Sequence, residues 1–314
     1  MTSGGDAPGM NTAIRAATKV ALEKGLTVFG VKRGYLGMFE DEIFEMDSRS
    51  VSGIVDRGGT VLLSARLPEF KEPSIRKRAV ENLLKRDIDS LIVIGGDGSY
   101  RGADLISKEY GINVVGVPGT IDNDISGTDH TIGYDTALNT MLDAISKLRD
   151  TASSHERTYL LEVMGRDAGD LAMYGCLAGG GDGLLIPEKD YDIDNLAELI
   201  RIRRTEGKIH DIVLIAEGVG NANEIMVRLK TRVNTSVRVT VLGHLQRGGT
   251  PSALDRILAT KMSAYAVEQL VAGNSGIMIG ISANELVTHP ISYAWEFKRK
   301  FNEADYQLAL TLAK

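Results

Sequence analysis

Short apolar or β-branched runs recur along the chain at Thr27–Val31, Ser90–Ile94, Asn113–Val117, Tyr159–Val163, Ile212–Ala216, Val239–Leu242 and Ile277–Ile281. They are continuous rather than alternating, the pattern of strands buried on both faces of a parallel sheet. Between them, Asn11–Lys24, Ser74–Arg86, Ser99–Glu109, Thr136–Arg149, Ile193–Arg204 and Leu254–Val271 place apolar residues at helical spacing among polar ones. Strand and helix in regular alternation predict a doubly wound α/β architecture. In such folds ligands bind beyond the carboxyl ends of the strands.

Composition narrows the function. The 314 residues suffice for one large α/β domain or two smaller ones. Aromatics are only 5%, so packing leans on Leu, Ile, Val, Ala and Met. The net charge of −6 argues against non-specific nucleic-acid binding, which needs phosphate neutralisation. Anionic ligands must then be held by locally placed Arg, Lys and backbone N–H groups. The single cysteine, Cys176, excludes an internal disulfide and lies among small apolar neighbours, as a buried structural thiol would. No apolar run reaches membrane-spanning length and no signal peptide precedes the first motif, so a cytoplasmic protein without membrane partners is expected. The chain opens directly on a Gly-rich turn where a strand would ordinarily come first. We therefore expect either a short strand upstream or a different anchorage of that turn.

Three segments run from a strand, or from the chain start, through a Gly/Asp turn into a helix: TSGGDAPGMN at 2–11, IGGDGSYRG at 94–102 and MGRDAGDLA at 164–172. Taken singly, each also reads as an ordinary βα turn. In Gly95–Ser99 the glycines let the backbone approach a polyphosphate at a helix N-terminus, and Asp97 offers a carboxylate to Mg²⁺; shaping the turn or capping the helix is the other reading of Asp97. The long polar connection Pro118–Gly133 holds Asp122 and Asp124, which could divide proton abstraction and metal organisation or simply form an Asx-rich turn.

Six segments, TSGGDAPGMN, IGGDGSYRGA, PGTIDNDI, TASSHERT, EVMGRDAGDLA and VLGHLQRGGTPSALDRILA, resemble the bacterial-type phosphofructokinase family in order and spacing across the whole chain. The resemblance implies two Rossmann-like three-layer α/β/α domains with mostly parallel sheets. Residues 1–133 plus 246–296 would form the larger, ATP-binding domain. Residues 134–245 plus 297–314 would form the smaller, fructose 6-phosphate-binding domain. It implies Mg²⁺-dependent transfer of a phosphoryl group from ATP to the 1-hydroxyl of fructose 6-phosphate, with Asp122 as general base and Thr120, Arg166 and Arg66 around the transferring group. Gly5, Tyr35, Arg66, Leu67, Gly96, Asp97, Gly98, Ser99 and Gly102 would contact ATP, and Asp97 would organise Mg²⁺. Thr120, Asp122, Arg157, Met164, Gly165, Arg166, Glu217, Arg238, His244 and Arg247 would bind the sugar phosphate, Arg157 and Arg238 reaching in from a neighbouring subunit of a homotetramer.

Pyrophosphate-dependent relatives characteristically carry Asp at the position of Gly98 and Lys at that of Gly119, so the small residues favour ATP. A second, intersubunit site for ADP or phosphoenolpyruvate would use Arg15, Lys19, Arg149, Asp182, Lys208 and His210. There Lys19 replaces a common arginine, Asp47-Ser48-Arg49 shifts a basic residue, and Glu206 replaces a basic residue. A carboxylate beside a phosphate repels it, so a weak or altered effector response is expected. Steady-state kinetics test this: strong sigmoidal inhibition by phosphoenolpyruvate that low ADP relieves would overturn it. The rivals are a pyrophosphate-dependent phosphofructokinase, a lipid or NAD kinase sharing the GGDG turn, and a non-catalytic sugar-phosphate sensor.

Overall fold

Burial on both faces makes the parallel strands, and glycines in left-handed conformation end several helices that flank them. The computed structural model describes residues 1–313. In chain order the elements are α1 (Met10–Glu23), β1 (Val28–Val31), α2 (Gly34–Phe39), β2 (Ile43–Met46), α3 (Pro73–Leu84), β3 (Ser90–Gly95), α4 (Asp97–Tyr110), β4 (Asn113–Pro118), α5 (Tyr134–His155), β5 (Thr158–Val163), α6 (Asp170–Gly179), β6 (Gly183–Leu185), α7 (Ile193–Thr205), β7 (Asp211–Ala216), α8 (Ala222–Lys230), β8 (Val237–Val241), α9 (Ala253–Val271), β9 (Ile277–Ser282), β10 (Glu285–Pro290), α10 (Tyr293–Glu296) and α11 (Glu303–Leu312). They form a two-unit α/β fold with mostly parallel sheets. One unit holds Met1–Ile121, Ile125–Thr136 and Arg247–Arg299; the other holds Asp122–Asp124, Ala137–Gln246 and Lys300–Lys314. Beside the boundaries expected at 133/134, 245/246 and 296/297, the two units divide at 136/137, 246/247 and 299/300, and Asp122–Asp124 group with the second unit.

In the first unit the sheet order is β10-β9-β4-β3, with β3, β4 and β9 parallel and β10 antiparallel at the edge. β1 and β2 form a separate antiparallel ribbon. Gly95 pairs with Pro118, so the loops after β3 and β4 leave the sheet side by side. The residues ahead of the first Gly-rich turn are extended along β3: Ile94 N–H donates to Met1 O and Ser3 N–H to Ile94 O, each at 3.0 Å. The first turn is thereby anchored to the second. Val93, Val114, Tyr100, Ile106, Leu83 and Met278 belong to the core of this unit.

The second unit has the all-parallel order β6-β7-β5-β8. All six residues of β7 are buried, as its continuous apolar run predicts. Leu160, Val213, Ile215, Ile200 and Leu229 form the core with neighbours from β8 and α8. Cys176 is buried and its thiol is pushed up to about 12 by burial, so it is an inert core group. Among the described residues no helix is long and apolar enough to cross a membrane.

Candidate active site

The two Gly-rich turns of the first unit meet because side chains are missing where they touch. A Cβ on Gly95 would lie 2.4 Å from Ser3 O, and one on Gly4, at φ +87°, would lie 3.3 Å from Ser99 Oγ. α4 begins at Asp97 with Gly96 as its N-cap and without a side-chain cap, so its first N–H groups face outward with a partial positive charge. Added Cβ atoms on Gly96 or Gly98 would meet nothing within 4 Å. That open ground beside an anion-seeking helix end suits a polyphosphate. The Asp97 carboxylate is about one-third exposed there, 3.8 Å from Arg101 Nε.

Other expected nucleotide residues have different surroundings. Tyr35 is buried, stacks on Phe70 with ring centroids 4.1 Å apart, and donates its hydroxyl to Ser99 O. Gly102 is the seat for that ring, since a Cβ there would lie 2.7 Å from Tyr35 Cζ. Both residues therefore buttress the turn from beneath. The Tyr35 hydroxyl is held protonated by burial, its pKa pushed far above the usual phenol value. Arg66 is exposed and Leu67 half-buried at the start of a short 3₁₀ turn. Gly5 admits Arg247, whose guanidinium would lie 2.4 Å from a Cβ there and donates to Asp6 O at 3.1 Å. A Cβ on Gly119 would meet Ile94 and Met10 at 3.1 and 3.2 Å. Gly119 is therefore small for packing, and of the pair Gly98 and Gly119 it is Gly98 that opens onto space.

Thr120 is buried in the loop after β4. Its N–H donates to Ile132 O at 3.1 Å, and its carbonyl accepts from the Thr131 hydroxyl at 2.7 Å. The loop is thus folded back on itself just before Asp122.

In the second unit Asp122 is 1% exposed, and Arg166 Nε lies 3.2 Å from its Oδ2; Arg166 Nη1 lies 3.8 Å from Asp124. Arg166 reaches them from a tight turn after β5. Gly165 adopts φ +140° and Arg166 itself φ +52°, a strained conformation for a side-chain-bearing residue. Glu217, following β7, clamps that turn by accepting the Gly165 and Arg166 N–H groups at 3.2 and 2.8 Å. Met164 is buried, and its N–H donates to Gln246 Oε1 at 2.9 Å. Gln246 is fully buried. Sequence reasoning passed over it, although it lies in the same GHLQRGG segment as His244 and Arg247.

Arg157 and Arg238 are not brought to this place. Arg157 precedes β5, and Arg238 on β8 pairs across from Tyr159 near the start of β5. Arg166 follows the other end of the six-residue β5, roughly 20 Å away at about 3.3 Å per residue. His244 is exposed in the segment after β8. Of the residues proposed for an effector, Asp182, Lys208 and His210 lie just before strands of this unit, and Arg149 lies on α5. Asp182, just before β6, accepts from Ile212 N–H at 2.7 Å and pairs with Lys208. His210, just before β7, bonds Ser153 Oγ at 3.1 Å, and Arg149 donates to Gly179 O and Gly180 O. In the first unit Lys19 donates to Ser48 Oγ at 3.0 Å, and Arg15 is half-buried on α1.

Gly-rich turns at strand ends, an anion-ready helix start and an arginine-clamped carboxylate define a phosphate-handling α/β protein. The phosphofructokinase family profile matches residues 1–270. The chain belongs to the phosphofructokinase family. It is 62% identical over 315 residues to the ATP-dependent 6-phosphofructokinase of Fusobacterium nucleatum, covering 100% of this chain and 98% of the relative. It is 52% identical over 314 residues to the enzyme of the same name from Clostridium botulinum, with 100% and 98% covered. Among solved structures, Saccharomyces cerevisiae phosphofructokinase superposes with a TM-score of 0.87 at 34% identity, over 98% of this chain. The chain spans 45% of that yeast chain.

Proposed function

We propose that this protein is a phosphotransferase that moves the γ-phosphoryl group of ATP to the 1-hydroxyl of fructose 6-phosphate, giving fructose 1,6-bisphosphate and ADP in the committed step of glycolysis. The observation that carries the reading is the almost fully buried Asp122 carboxylate with Arg166 Nε at 3.2 Å. A carboxylate so placed can take the hydroxyl proton, while a guanidinium beside it neutralises charge developing on the transferring group. Thr120 and Arg66 assist at that group. The first unit supplies the nucleotide ground of Gly5, Leu67 and Gly96–Ser99, with Tyr35 and Gly102 supporting it. The second supplies Met164, Gly165 and Glu217 for the sugar.

Mg²⁺ fits the chemistry of Asp97, a partly exposed carboxylate with open space beside its turn. Among the described residues no group of three or more His, Cys, Asp or Glu could hold a metal by itself. That matches Mg²⁺, which commonly takes one or two carboxylates and completes its shell with substrate phosphates and water. When bound, the ion would neutralise charge on the β- and γ-phosphates.

Arg157 and Arg238 stand at the opposite strand ends from Arg166, so they would serve a neighbouring chain's sugar phosphate with His244 and Arg247. The reading takes a cytoplasmic homotetramer as the working form, with a weakened ADP or phosphoenolpyruvate site at Arg15, Lys19, Arg149, Asp182, Lys208 and His210. The decisive experiment measures fructose 1,6-bisphosphate formation with ATP or pyrophosphate, with and without Mg²⁺. Activity with ATP and Mg²⁺ only is expected. Turnover with pyrophosphate would overturn the donor assignment, and turnover after chelation the metal one.

A further inference from the structure

Asp255 is a carboxylate with 1% exposure on α9, and nothing in the reading above uses it. Such a group is costly to bury unless its oxygens are hydrogen-bonded. It accepts from Gly133 N–H at 2.8 Å through Oδ1, and from Thr136 N–H at 2.8 Å and the Thr136 hydroxyl at 2.5 Å through Oδ2. Those donors sit at the N-terminus of α5, where orphan N–H groups and the helix dipole favour an anion. The clasp is reciprocal. Ser252 N–H donates to Thr136 Oγ1 at 2.9 Å, and Ser252 Oγ accepts Asp255 N–H at 3.2 Å as the N-cap of α9. Burial raises the Asp255 carboxyl pKa, while the three hydrogen bonds oppose the rise.

The clasp bears on the loop that carries the reacting groups. Gly133 closes the connection that begins after β4. Its neighbour Ile132 accepts the Thr120 N–H and donates to Pro118 O, and Thr131 donates to Thr120 O. Ile132 and Asp255 also flank Gly9, where a Cβ would lie 2.7 Å from Ile132 and 3.6 Å from Asp255. Holding Gly133 and Thr136 therefore fixes the returning strand of the loop, and that strand fixes Thr120, two residues before Asp122. The other arm, Ser252, lies five residues after Arg247.

We propose that Asp255 is a positioning residue for phosphoryl transfer: it clasps the start of α5 so that the Thr120–Asp122 segment is presented in reacting geometry. The inference rests on the assignment of Asp122 as the base. The test is a mutant cycle of Asp255→Asn, Asp122→Ser and the double variant, read in kcat and in KM for MgATP. Asn preserves shape but presents an amide to N–H donors. Asp255→Asn is expected to lower kcat at least about tenfold, since small displacements of reacting groups cost rates of that order, with KM for MgATP held within about twofold. The double variant should lose far less than the product of the two single losses, because Asp255 acts through the segment that carries Asp122. A merely structural cap predicts a lowered Tm with kcat unchanged, or losses that multiply; either result overturns the proposal. Undiminished turnover in Asp122→Ser overturns the base assignment instead. Thr136→Val removes the hydroxyl that donates to Asp255 and accepts the Ser252 N–H, and provides the reading if Asp255→Asn fails to fold. It should lower kcat by at least about fivefold, the worth of one of those two hydrogen bonds, and an unchanged kcat there also overturns the proposal.

Discussion

Replacing Asp122 with Ser should lower kcat by at least ~10²-fold, the low end for loss of a general base, with smaller changes in both KM values. The side chain is 1% exposed and lies against Arg166, so it meets bulk water hardly at all. On the proposed assignment its removal takes away the proton acceptor, and it also removes the carboxylate beside the Arg166 guanidinium, while Ser leaves little steric change. Steady-state assays over a range of fructose 6-phosphate separate the two parameters; an unchanged kcat would remove Asp122 from the chemistry. The variant also probes assembly. If Arg157 serves a neighbouring chain as proposed, co-expression with Arg157→Ala, which lesions the opposite strand end, should restore activity in hybrid oligomers where an intact Asp122 and an intact Arg157 come from different chains. No recovery in confirmed hybrids would mean that each chain completes its own site.

Strand ends were the most legible part of this protein. A continuous apolar run that breaks into Gly and Asp marks where a parallel strand stops, and in an α/β fold that also marks the ligand side. Asp97, Thr120, Asp122 and Arg166 all follow such breaks. Several of the elements left unread have weak local signals. β6 is three residues long, β10 is a half-exposed antiparallel edge, and α2 contains two glycines within six residues. The supporting polar residues were illegible for a different reason. Gln246 and Asp255 are buried polar groups whose partners lie 82 and more than 100 residues away, and hydrophobic periodicity carries no record of such pairings. Glycine was ambiguous for the same reason. Gly98, Gly102 and Gly119 look alike in sequence, yet one opens onto space, one seats Tyr35 and one fits against Ile94 and Met10. Only the neighbours, supplied by tertiary packing, tell a ligand glycine from a packing glycine.

The same distinction governs the charged residues, and it predicts a large loss of stability away from the site. Asp211 begins β7 with no exposure, and its two oxygens lie 3.2 Å from Arg203 Nη1 and 3.1 Å from Arg204 Nη2. The Thr158 hydroxyl is 3.3 Å from one of those oxygens, and Arg203 also donates to Ala313 O after α11. One carboxylate therefore joins α7, β5 and β7, and through Arg203 it secures the chain's last described turn. Asp211→Ala leaves the Arg203 guanidinium, 4% exposed, beside that of Arg204 without the anion between them. Removing one partner of a buried ion pair typically costs about 3–5 kcal/mol, well beyond the roughly 1 kcal/mol or less of an exposed pair such as Arg201–Glu198. Urea unfolding followed by circular dichroism should show the midpoint fall accordingly, while Glu198→Ala leaves it nearly unmoved. Equal, small shifts in the two variants would mean that water reaches Arg203 and Arg204 once Asp211 is gone, and that the cluster contributes no more than a surface pair.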